Sequence, residues 1–301
     1  MPKILFIIDQ LEIGGAQRLV SALTKCCVKR GYRVIVCALQ PFEQLRNQIE
    51  AAGATVIGLR RKRPSIVQFH RMLGYVFGNL IDIYRLIKKE GIDIVHAHLS
   101  DAEFLGITSG LLAKAPCIVA TIHGPHLLPH KSRKDPRNFL RIFLTRAIFN
   151  RADWIAAVSE ETHRHLVHTF GIDPRHLVLI ENGIDLDPYN VSPKSDLLRE
   201  LDLPVGAGII TMVARLTPLK NHMTLFRAVA ALHGQGYSPI LLVVGEGELS
   251  DKLPAQAAAL GLKDQVRFLG PRNDIADILS ISDIFALPSS YEGTALALLE
   301  A

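Results

Sequence analysis

Short apolar runs alternate with longer helical patterns almost from one end of the chain to the other. Residues 17–30 and 67–89, for example, have helical patterns that end at Gly31 and Gly91. Because strands and helices alternate in this way, we expect α/β domains in which helices cover both faces of a parallel sheet. The runs that predict strands are residues 3–8, 33–39, 55–59, 94–97, 117–121, 154–158 and 177–180, followed by a second series at 208–213, 240–244, 266–269 and 284–287.

A turn-rich segment separates the two series of strands. Residues 185–193, D-L-D-P-Y-N-V-S-P, contain two prolines and resemble a linker. At 301 residues, the chain is long enough for two domains of ordinary size. We therefore predict an N-terminal domain over residues 1–190 and a C-terminal domain over residues 191–301.

Basic residues are concentrated in the predicted N-terminal domain. Residues 1–190 contain 25 Lys and Arg against 17 Asp and Glu, whereas residues 191–301 contain 9 against 12. This excess favours an acidic partner, which can be a nucleic acid, a phosphorylated substrate or an anionic membrane surface. The aromatic and apolar stretch 67–89 follows the run R-R-K-R at 60–63 and can lie on such a membrane. The same stretch also fits packing on a sheet, which we favour.

The cysteines and the first apolar run bear on the cellular compartment. Cys26, Cys27, Cys37 and Cys117 show no C-x-x-C spacing, so we expect neither disulfides nor a structural zinc. The first apolar run ends at Asp9 and is too short for the core of a signal peptide. No segment reads as a transmembrane span. We therefore predict a cytoplasmic protein.

Two adjacent glycines follow the first predicted strand. Gly14 and Gly15, in I-G-G-A-Q-R, stand where a helix begins and can let the backbone approach a ligand closely. A nicotinamide-binding fingerprint would need G-x-G-x-x-G here and an acidic residue at the end of the second strand. The sequence has neither, which disfavours a dinucleotide-dependent dehydrogenase.

Two cations stand in the loop after the first strand of the second series. Arg215 and Lys220 are five residues apart in V-A-R-L-T-P-L-K-N, where the loop opens into a helix. Two cations at a strand-to-helix turn suit a diphosphate, although solvated surface charges are the alternative. Gly245 and Glu246, in G-E-G-E-L, follow the next strand and form a second glycine-flanked approach point at the same edge.

Two carboxylates stand eight residues apart in E-G-T-A-L-A-L-L-E. Glu292 precedes a predicted helix start at Gly293 and Thr294, and Glu300 lies roughly 10 Å further along the helix axis. An isolated pair of this kind can be a plain surface feature. A predicted buried strand over 284–287 ends just before it, however, and parallel sheets bind ligands at that end of their strands.

Histidines stand at the ends of two predicted strands. They are His96 and His98 in I-V-H-A-H, and His123 and His126 in T-I-H-G-P-H. Metal ligation is one alternative, with Asp101 as the candidate acidic ligand, but the spacing of a metal hydrolase is absent. We favour polar contacts with a substrate, with His123 as the first candidate because the chain turns directly after it.

Taken in order, these segments resemble the retaining glycosyltransferases of GT-B architecture, specifically family 4. The resemblance covers the whole chain and includes A-V-S-E, N-G-I-D, V-R-F-L-G and D-I-F-A-L-P-S-S-Y-E-G-T-A-L-A-L-L-E. It is specific because the R-x4-K and E-x7-E elements occur together. It implies two Rossmann-like, doubly wound parallel-sheet domains that face a cleft.

The resemblance also implies roles for individual residues. Glu292 and His123 would be the catalytic residues: Glu292 would bind hydroxyls of the donor sugar, and His123 would lie near the reacting sugar carbon. Thr294 and Ala295 replace the bulkier Phe-Gly type sequence usual in the family, which leaves the donor sugar open. No metal or other cofactor is expected. The residues implied in donor binding are Gly14, Gly15, Arg215, Lys220, Gly245, Glu246, Gly293, Thr294 and Glu300, the last through the ribose hydroxyls.

The implied activity is transfer of a hexosyl or N-acetylhexosaminyl group from a UDP- or GDP-linked sugar to an acceptor, with retention. The acceptor would be a saccharide or lipid-linked, and no nucleic acid is expected as a partner. The basic N-terminal half favours a lipid-linked or phosphorylated acceptor, reached by peripheral contact with the inner face of an anionic membrane. The resemblance predicts roughly 60 to 80 further residues, so the second domain is expected to be C-terminally truncated. A catalytically silent sugar-nucleotide binding protein and a GT-B epimerase or phosphorylase are the alternatives.

Overall fold

The computed structural model describes residues 1–65, 68–124, 136–190, 195–204 and 206–301, with the backbone alone at 69, 136–141 and 195. The chain divides into two units, Met1–Asn182 and Gly183–Ala301. The division lies in the N-G-I-D turn, a few residues before position 190. Part of the predicted linker, residues 191–194, lies outside the described residues.

In the described part of the first unit, seven parallel strands form one sheet in the order β3-β2-β1-β4-β5-β6-β7. The chain order reverses between β1 and β4, and ligands commonly bind at such a switch point, at the carboxyl ends of the strands. The strands are β1 Lys3–Ile8, β2 Arg33–Ala38, β3 Thr55–Gly58, β4 Ile94–His98, β5 Cys117–Ile122, β6 Trp154–Ala157 and β7 Leu177–Leu179.

Helices cover both faces of this sheet, as the alternating pattern predicted. In β1, Phe6 packs toward Val20 on one face, whereas Ile7 packs toward Ile83 and Leu105 on the other. Because alternate residues of β1 are buried on opposite faces, the whole strand is a continuous apolar run in the sequence. The helices are α1 Gly15–Lys29, α2 Arg46–Ala51, α3 Phe69–Glu90, α4 Ser100–Ala113, α5 Pro136–Phe149 and α6 Glu160–His165, which continues as a π-helical turn over Leu166–Phe170.

The described part of the second unit contains a smaller parallel sheet in the order β10-β9-β8-β11. Its core lies on both faces, with Phe226 on one side and Ile278 on the other. The strands are β8 Ile209–Val213, β9 Ile240–Val244, β10 Val266–Gly270 and β11 Ile284–Phe285. The helices are α7 Ser195–Glu200, α8 His222–Gly234, α9 Leu253–Ala259, α10 Ile275–Ser280 and α11 Leu296–Glu300.

The last strand and helix differ from the prediction. The prediction of a buried strand over 284–287 was wrong, because within the described residues β11 pairs only with β8, and Ile284 is 56% exposed. A helix start at Gly293 and Thr294 was also wrong, since α11 begins at Leu296 and Ala295 before it has an extended backbone. Five good helix formers form too short a segment to impose helix on the loop before them.

Within the described residues, no helix is both long and apolar enough to span a membrane. The apolar face of α3 divides instead into a buried and an exposed part. Ile83 and Ile87 pack in the core, as we had favoured, whereas Phe77 and Ile81 are 59% and 48% exposed.

Candidate functional site

Three loops meet at the carboxyl edge of the second unit's sheet. The backbone N–H of Leu216, after β8, donates to the carbonyl of Glu246, after β9, at 2.9 Å, and Leu249 N–H donates back to Leu216 at 2.9 Å. The loop after β11 joins them, because Ser290 N–H donates to the carbonyl of Leu219 at 2.9 Å. These backbone hydrogen bonds fix the loops that carry the predicted donor-binding residues.

Two glycines permit this close contact between loops. A Cβ on Gly245, whose φ is 134°, would lie 2.1 Å from the carbonyl oxygen of Ala214, and one on Gly247 would lie 2.5 Å from that of Leu216. Any larger residue would therefore push the loop after β8 away from the loop after β9. The geometry thus assigns Gly245 a contact with the neighbouring loop, while its predicted contact with a donor remains a prediction.

An ion pair links the loops after β8 and β11. Lys220 ends a 3-10 turn, Pro218–Lys220, and its Nζ contacts Oε1 of Glu292, 72 residues away. The two side chains are 20% and 27% exposed, so a ligand can reach both of them. The structure thereby brings together one residue of the R-x4-K element and one of the E-x7-E element.

The other residues predicted to bind the donor follow the same strands. Arg215 and Glu246 are exposed, after β8 and β9 respectively. Thr294 lies in the loop before α11, and Glu300 is the last residue of that helix, both partly buried. Their proposed contacts with a nucleotide sugar remain predictions.

The sequence pattern did not identify a buried histidine that lies next to Lys220. His222, the first residue of α8, is 1% exposed, and neither ring nitrogen has a hydrogen-bond partner within the described residues. Burial, reinforced by the charge of Lys220, lowers the pKa of His222 to about 4. The imidazole is therefore neutral at pH 7 and leaves the local positive charge on Lys220.

In the first unit, the two adjacent glycines stand at the start of α1. Gly14 is the N-cap residue in an extended conformation, and Gly15 is the first helical residue. The first turn contains no acidic residue, and no side chain caps it. The N-terminus of this 15-residue helix can therefore offer backbone N–H groups and a positive dipole end to an anion.

A buried carboxyl group stands at the carboxyl end of β1. Asp9 accepts a hydrogen bond at Oδ1 from the backbone N–H of Ala102 at 2.8 Å. Burial, with the nearby charge of Asp101, raises the pKa of Asp9 to about 7. The sequence pattern identifies Asp9 only as the residue that ends the first strand, because the pattern does not show that α4 approaches it.

Asp101 and Glu103 complete this acidic group. Asp101 Oδ2 accepts from Nε of Arg63 at 2.6 Å and from the Tyr75 hydroxyl at 3.2 Å. Glu103 is 1% exposed, and burial raises its pKa well above the usual range. Asp101 had been the candidate acidic metal ligand, but the described residues contain no group of three or more His, Cys, Asp or Glu placed to hold a metal.

The raised pKa of Asp9 predicts a pH-dependent stability. The folded protein keeps a proton on Asp9 up to about pH 7, whereas the unfolded chain loses this proton near pH 3.8. The contribution of Asp9 to the free energy of unfolding therefore falls as the pH rises from about 4 to 7, and it is constant above pH 7. In Asp9→Asn the amide still accepts from Ala102 but carries no charge. As the pH rises from 4 to 8, the free energy of unfolding of the variant should increase by about 2–4 kcal/mol relative to that of the wild type.

Urea unfolding at several pH values between 4 and 8 measures this difference. Asp251→Asn, at an exposed position, is the control and should follow the wild type throughout. Equal pH slopes for Asp9→Asn and the wild type would show that Asp9 does not hold a proton in the fold.

The histidines at the ends of β4 and β5 contact each other or neighbouring protein groups. Nδ1 of His98 lies 3.0 Å from Nε2 of His123, and Nε2 of His96 lies 2.8 Å from the hydroxyl of Thr121. His98 is fully buried, so the expectation that it contacts a substrate directly was wrong. His126 and the basic residues at 130–135 lie outside the described residues.

Two family profiles together match almost the whole chain. Glycosyltransferase Family 4 matches residues 13–188, and Glycosyl transferases group 1 matches residues 194–301. The two matches meet at the predicted linker. The first match covers every strand of the first sheet except β1, and the second match covers the whole second sheet.

Individual relatives agree with these matches. A UDP-Gal:alpha-D-GlcNAc-diphosphoundecaprenol alpha-1,3-galactosyltransferase of Escherichia coli is 35% identical over 230 residues, 74% of this chain. A D-inositol 3-phosphate glycosyltransferase of Corynebacterium glutamicum is 28% identical over 233 residues, 71% of this chain. The chain spans only 58% and 54% of the length of these two relatives.

The fold also matches a solved structure. The crystal structure of Anabaena Alr3699/HepE in complex with UDP and glucose superposes with a TM-score of 0.75, at 22% identity. The match covers 96% of this chain and 74% of that protein. At this identity the likeness concerns the fold.

Proposed function

The chain belongs to the GT-B glycosyltransferases of family 4 and group 1, and from this premise we propose that it transfers a hexosyl or N-acetylhexosaminyl group from a UDP-linked sugar to a lipid-linked acceptor, with retention. The observation that carries the proposal is the pair of Lys220 and Glu292 at the carboxyl edge of the second sheet. A cation and a carboxylate side by side suit a ligand that carries a diphosphate next to sugar hydroxyls.

In this proposal the diphosphate lies against the loop after β8. Lys220 and Arg215 hold its oxygens, and Glu292 accepts hydrogen bonds from hydroxyls of the sugar. As the bond from the anomeric carbon to the diphosphate breaks, UDP leaves with the electron pair, and its added negative charge is stabilised by cations already in place. Retention requires the acceptor oxygen to bond to the face of the sugar that the diphosphate leaves, and the acceptor hydroxyl gives its proton to a phosphate oxygen of the departing UDP.

The same proposal gives roles to residues of each unit taken by itself. In the first unit, Gly14 and Gly15 are proposed to offer backbone N–H groups to a phosphate group, and His123 is proposed to contact a sugar. In the second unit, backbone groups of Gly293 and Thr294 reach the phosphates, and Glu300 accepts from the ribose hydroxyls. Gly245 and Glu246 keep the loop after β9 in place beside them.

The choice of donor and acceptor is supported by the relatives. The E. coli relative is named for a UDP-Gal donor and a GlcNAc-diphosphoundecaprenol acceptor, and the Anabaena structure contains UDP. These substrates are stated for those two proteins. They make a UDP-hexose and a polyprenyl diphosphate sugar the first compounds to test with this chain.

A donor screen by mass spectrometry tests the function. The protein is incubated with UDP-, GDP- and ADP-linked sugars, with and without a GlcNAc-diphosphate lipid acceptor. Transfer predicts a glycosylated acceptor and free UDP only when both substrates are present. Conversion of the UDP-sugar without acceptor would indicate an epimerase, a requirement for inorganic phosphate a phosphorylase, and UDP binding without turnover a silent binding protein.

We also propose that α3 contacts an anionic membrane surface. Leu73, Phe77, Ile81 and Tyr84 lie at helical spacing on one exposed stripe, and Arg85 and Lys88 extend it. An apolar stripe with adjacent cations is suited to the interface of an anionic bilayer. The R-R-K-R run contributes less than predicted, because Arg61 pairs with Asp82 and Arg63 with Asp101.

Removing the apolar part of this stripe should weaken binding to vesicles. The double variant Phe77→Ala, Ile81→Ala should reduce partitioning onto phosphatidylglycerol-containing vesicles by at least about tenfold. Burial of each apolar side chain in the bilayer interface contributes roughly 1–2 kcal/mol to the free energy of binding. Sedimentation with phosphatidylglycerol and with pure phosphatidylcholine vesicles measures it. Tyr237→Ala, at a residue 64% exposed in the second unit, is the control. Equal sedimentation of variant and wild type, or no preference for anionic lipid, would contradict the contact.

A further inference from the structure

A hydrogen-bonded pair of histidines joins the carboxyl ends of β4 and β5. The distance of 3.0 Å between Nδ1 of His98 and Nε2 of His123 requires one proton between the two nitrogens. The rings are tilted by 36° with centroids 5.3 Å apart, so the nitrogens rather than the ring faces meet. Phe6 and His96 pack against His98, with centroids 5.7 Å and 4.2 Å away.

The other ring nitrogen of His98 indicates which histidine donates. Burial lowers the pKa of His98 well below its usual value, so its ring is neutral and has one N–H. Its Nε2 is buried without a hydrogen-bond partner within the described residues. A proton there would leave a buried N–H donor unsatisfied, whereas a bare nitrogen leaves only an unused acceptor, which proteins tolerate better.

We propose that His98 is a positioning residue that fixes His123 in the tautomer protonated at Nδ1. His98 donates its Nδ1 proton to Nε2 of His123, and the single proton of a neutral His123 then resides on Nδ1. The arrangement explains why a buried imidazole stands at the end of β4.

The backbone after His98 supports a fixed position for this ring. Leu99 has a φ of 75° and a ψ of 158°, a backbone conformation with positive φ that a residue with a Cβ rarely adopts. Such a conformation persists only where the surroundings determine it, and it often marks a functional site. Here it lies directly between His98 and the start of α4.

The consequence for catalysis rests on the proposed function. With Nε2 engaged by His98, a neutral His123 has no lone pair left to accept a proton. His123 therefore keeps its proton on Nδ1 and does not act as a general base. This agrees with a reaction in which catalysis depends on stabilising the negative charge of the leaving diphosphate.

Long-range ¹H–¹⁵N NMR of histidine-labelled protein tests the proposal, because nitrogen shifts distinguish the two tautomers. His123→Asn assigns the signals. We expect wild-type His123 to carry its proton on Nδ1. His98→Leu, which cannot donate, should shift it toward the Nε2–H form, whereas His98→Asn, whose amide can donate from the position of Nδ1, should keep the Nδ1–H form. His96→Asn is the neighbouring control and should leave the tautomer of His123 unchanged.

A wild-type His123 protonated at Nε2, or an unchanged tautomer in folded His98→Leu, would overturn the proposal. The wild-type spectrum decides even if His98→Leu does not fold. Kinetics add a second readout: His98→Leu should lower kcat by about 10- to 100-fold with little change in KM for the donor, and His98→Asn should restore most of it. Because the NMR result does not require turnover, it stands or fails separately from the proposed function.

Discussion

Lys220→Ala is expected to lower kcat/KM for sugar transfer by about 10²- to 10³-fold, because it removes a preformed positive charge from the site where the diphosphate gathers negative charge. The variant should also bind UDP more weakly. Steady-state kinetics and calorimetric titration with UDP measure the two effects. The fold should persist, since a partly exposed ion pair contributes about 1 kcal/mol or less to stability.

Lys263→Ala is the matched control for this prediction. Lys263 is an exposed lysine of the same unit, far along the chain from the loop after β8. It should leave kinetics and UDP affinity unchanged, and both variants should keep the unfolding temperature within a few degrees of the wild type. Undiminished turnover in a folded Lys220→Ala protein would show that the loop after β8 does not hold the leaving group.

Glu292→Gln is expected to have the second large effect, a fall in kcat of about 10²-fold. The amide has the shape of the carboxylate but lacks its charge, so it loses the ion pair with Lys220 and accepts weaker hydrogen bonds from the sugar. UDP affinity should stay the same or rise slightly, because a negative charge beside the diphosphate is removed. Loss of kcat without loss of UDP binding thus separates Glu292 from Lys220.

The double variant Lys220→Ala, Glu292→Gln tests whether the two residues act on one ligand. Since they contact each other, their effects on transfer should not add, and the double variant should be little worse than Lys220→Ala. Glu248→Gln, an exposed position in the loop after β9, is the control and should be neutral. Fully additive losses would indicate that Lys220 and Glu292 serve separate steps.

Strands that are buried on both faces could be predicted well from the sequence. The bounds of β1, Lys3–Ile8, and of β9, Ile240–Val244, agree with the prediction because an uninterrupted apolar run ends at a polar or glycine residue. The edge strand β11 could not, since its pairing on one side only is a property of the sheet. The order reversal between β1 and β4 is likewise invisible in a linear pattern.

The candidate site was predictable residue by residue but not in its contacts. Lys220 and Glu292 were each identified from local spacing, yet their ion pair joins loops 72 residues apart. The environment of Asp9 depends on α4 approaching the end of β1, where Ala102 lies 93 positions after Asp9 in the sequence. His98 and His123 were predicted to contact substrate separately, and only the neighbouring positions of β4 and β5 turn them into a pair.

One NMR time course tests directly whether the protein transfers a sugar with retention. The protein is mixed with a UDP-hexose and a short-chain GlcNAc-diphosphate lipid, and the ³¹P signals of UDP are followed together with the anomeric proton of the product. We expect UDP and glycosylated acceptor to appear in equal amounts and the product to keep the anomeric configuration of the donor. A UDP-hexose that binds but stays intact, or a product of inverted configuration, would contradict it.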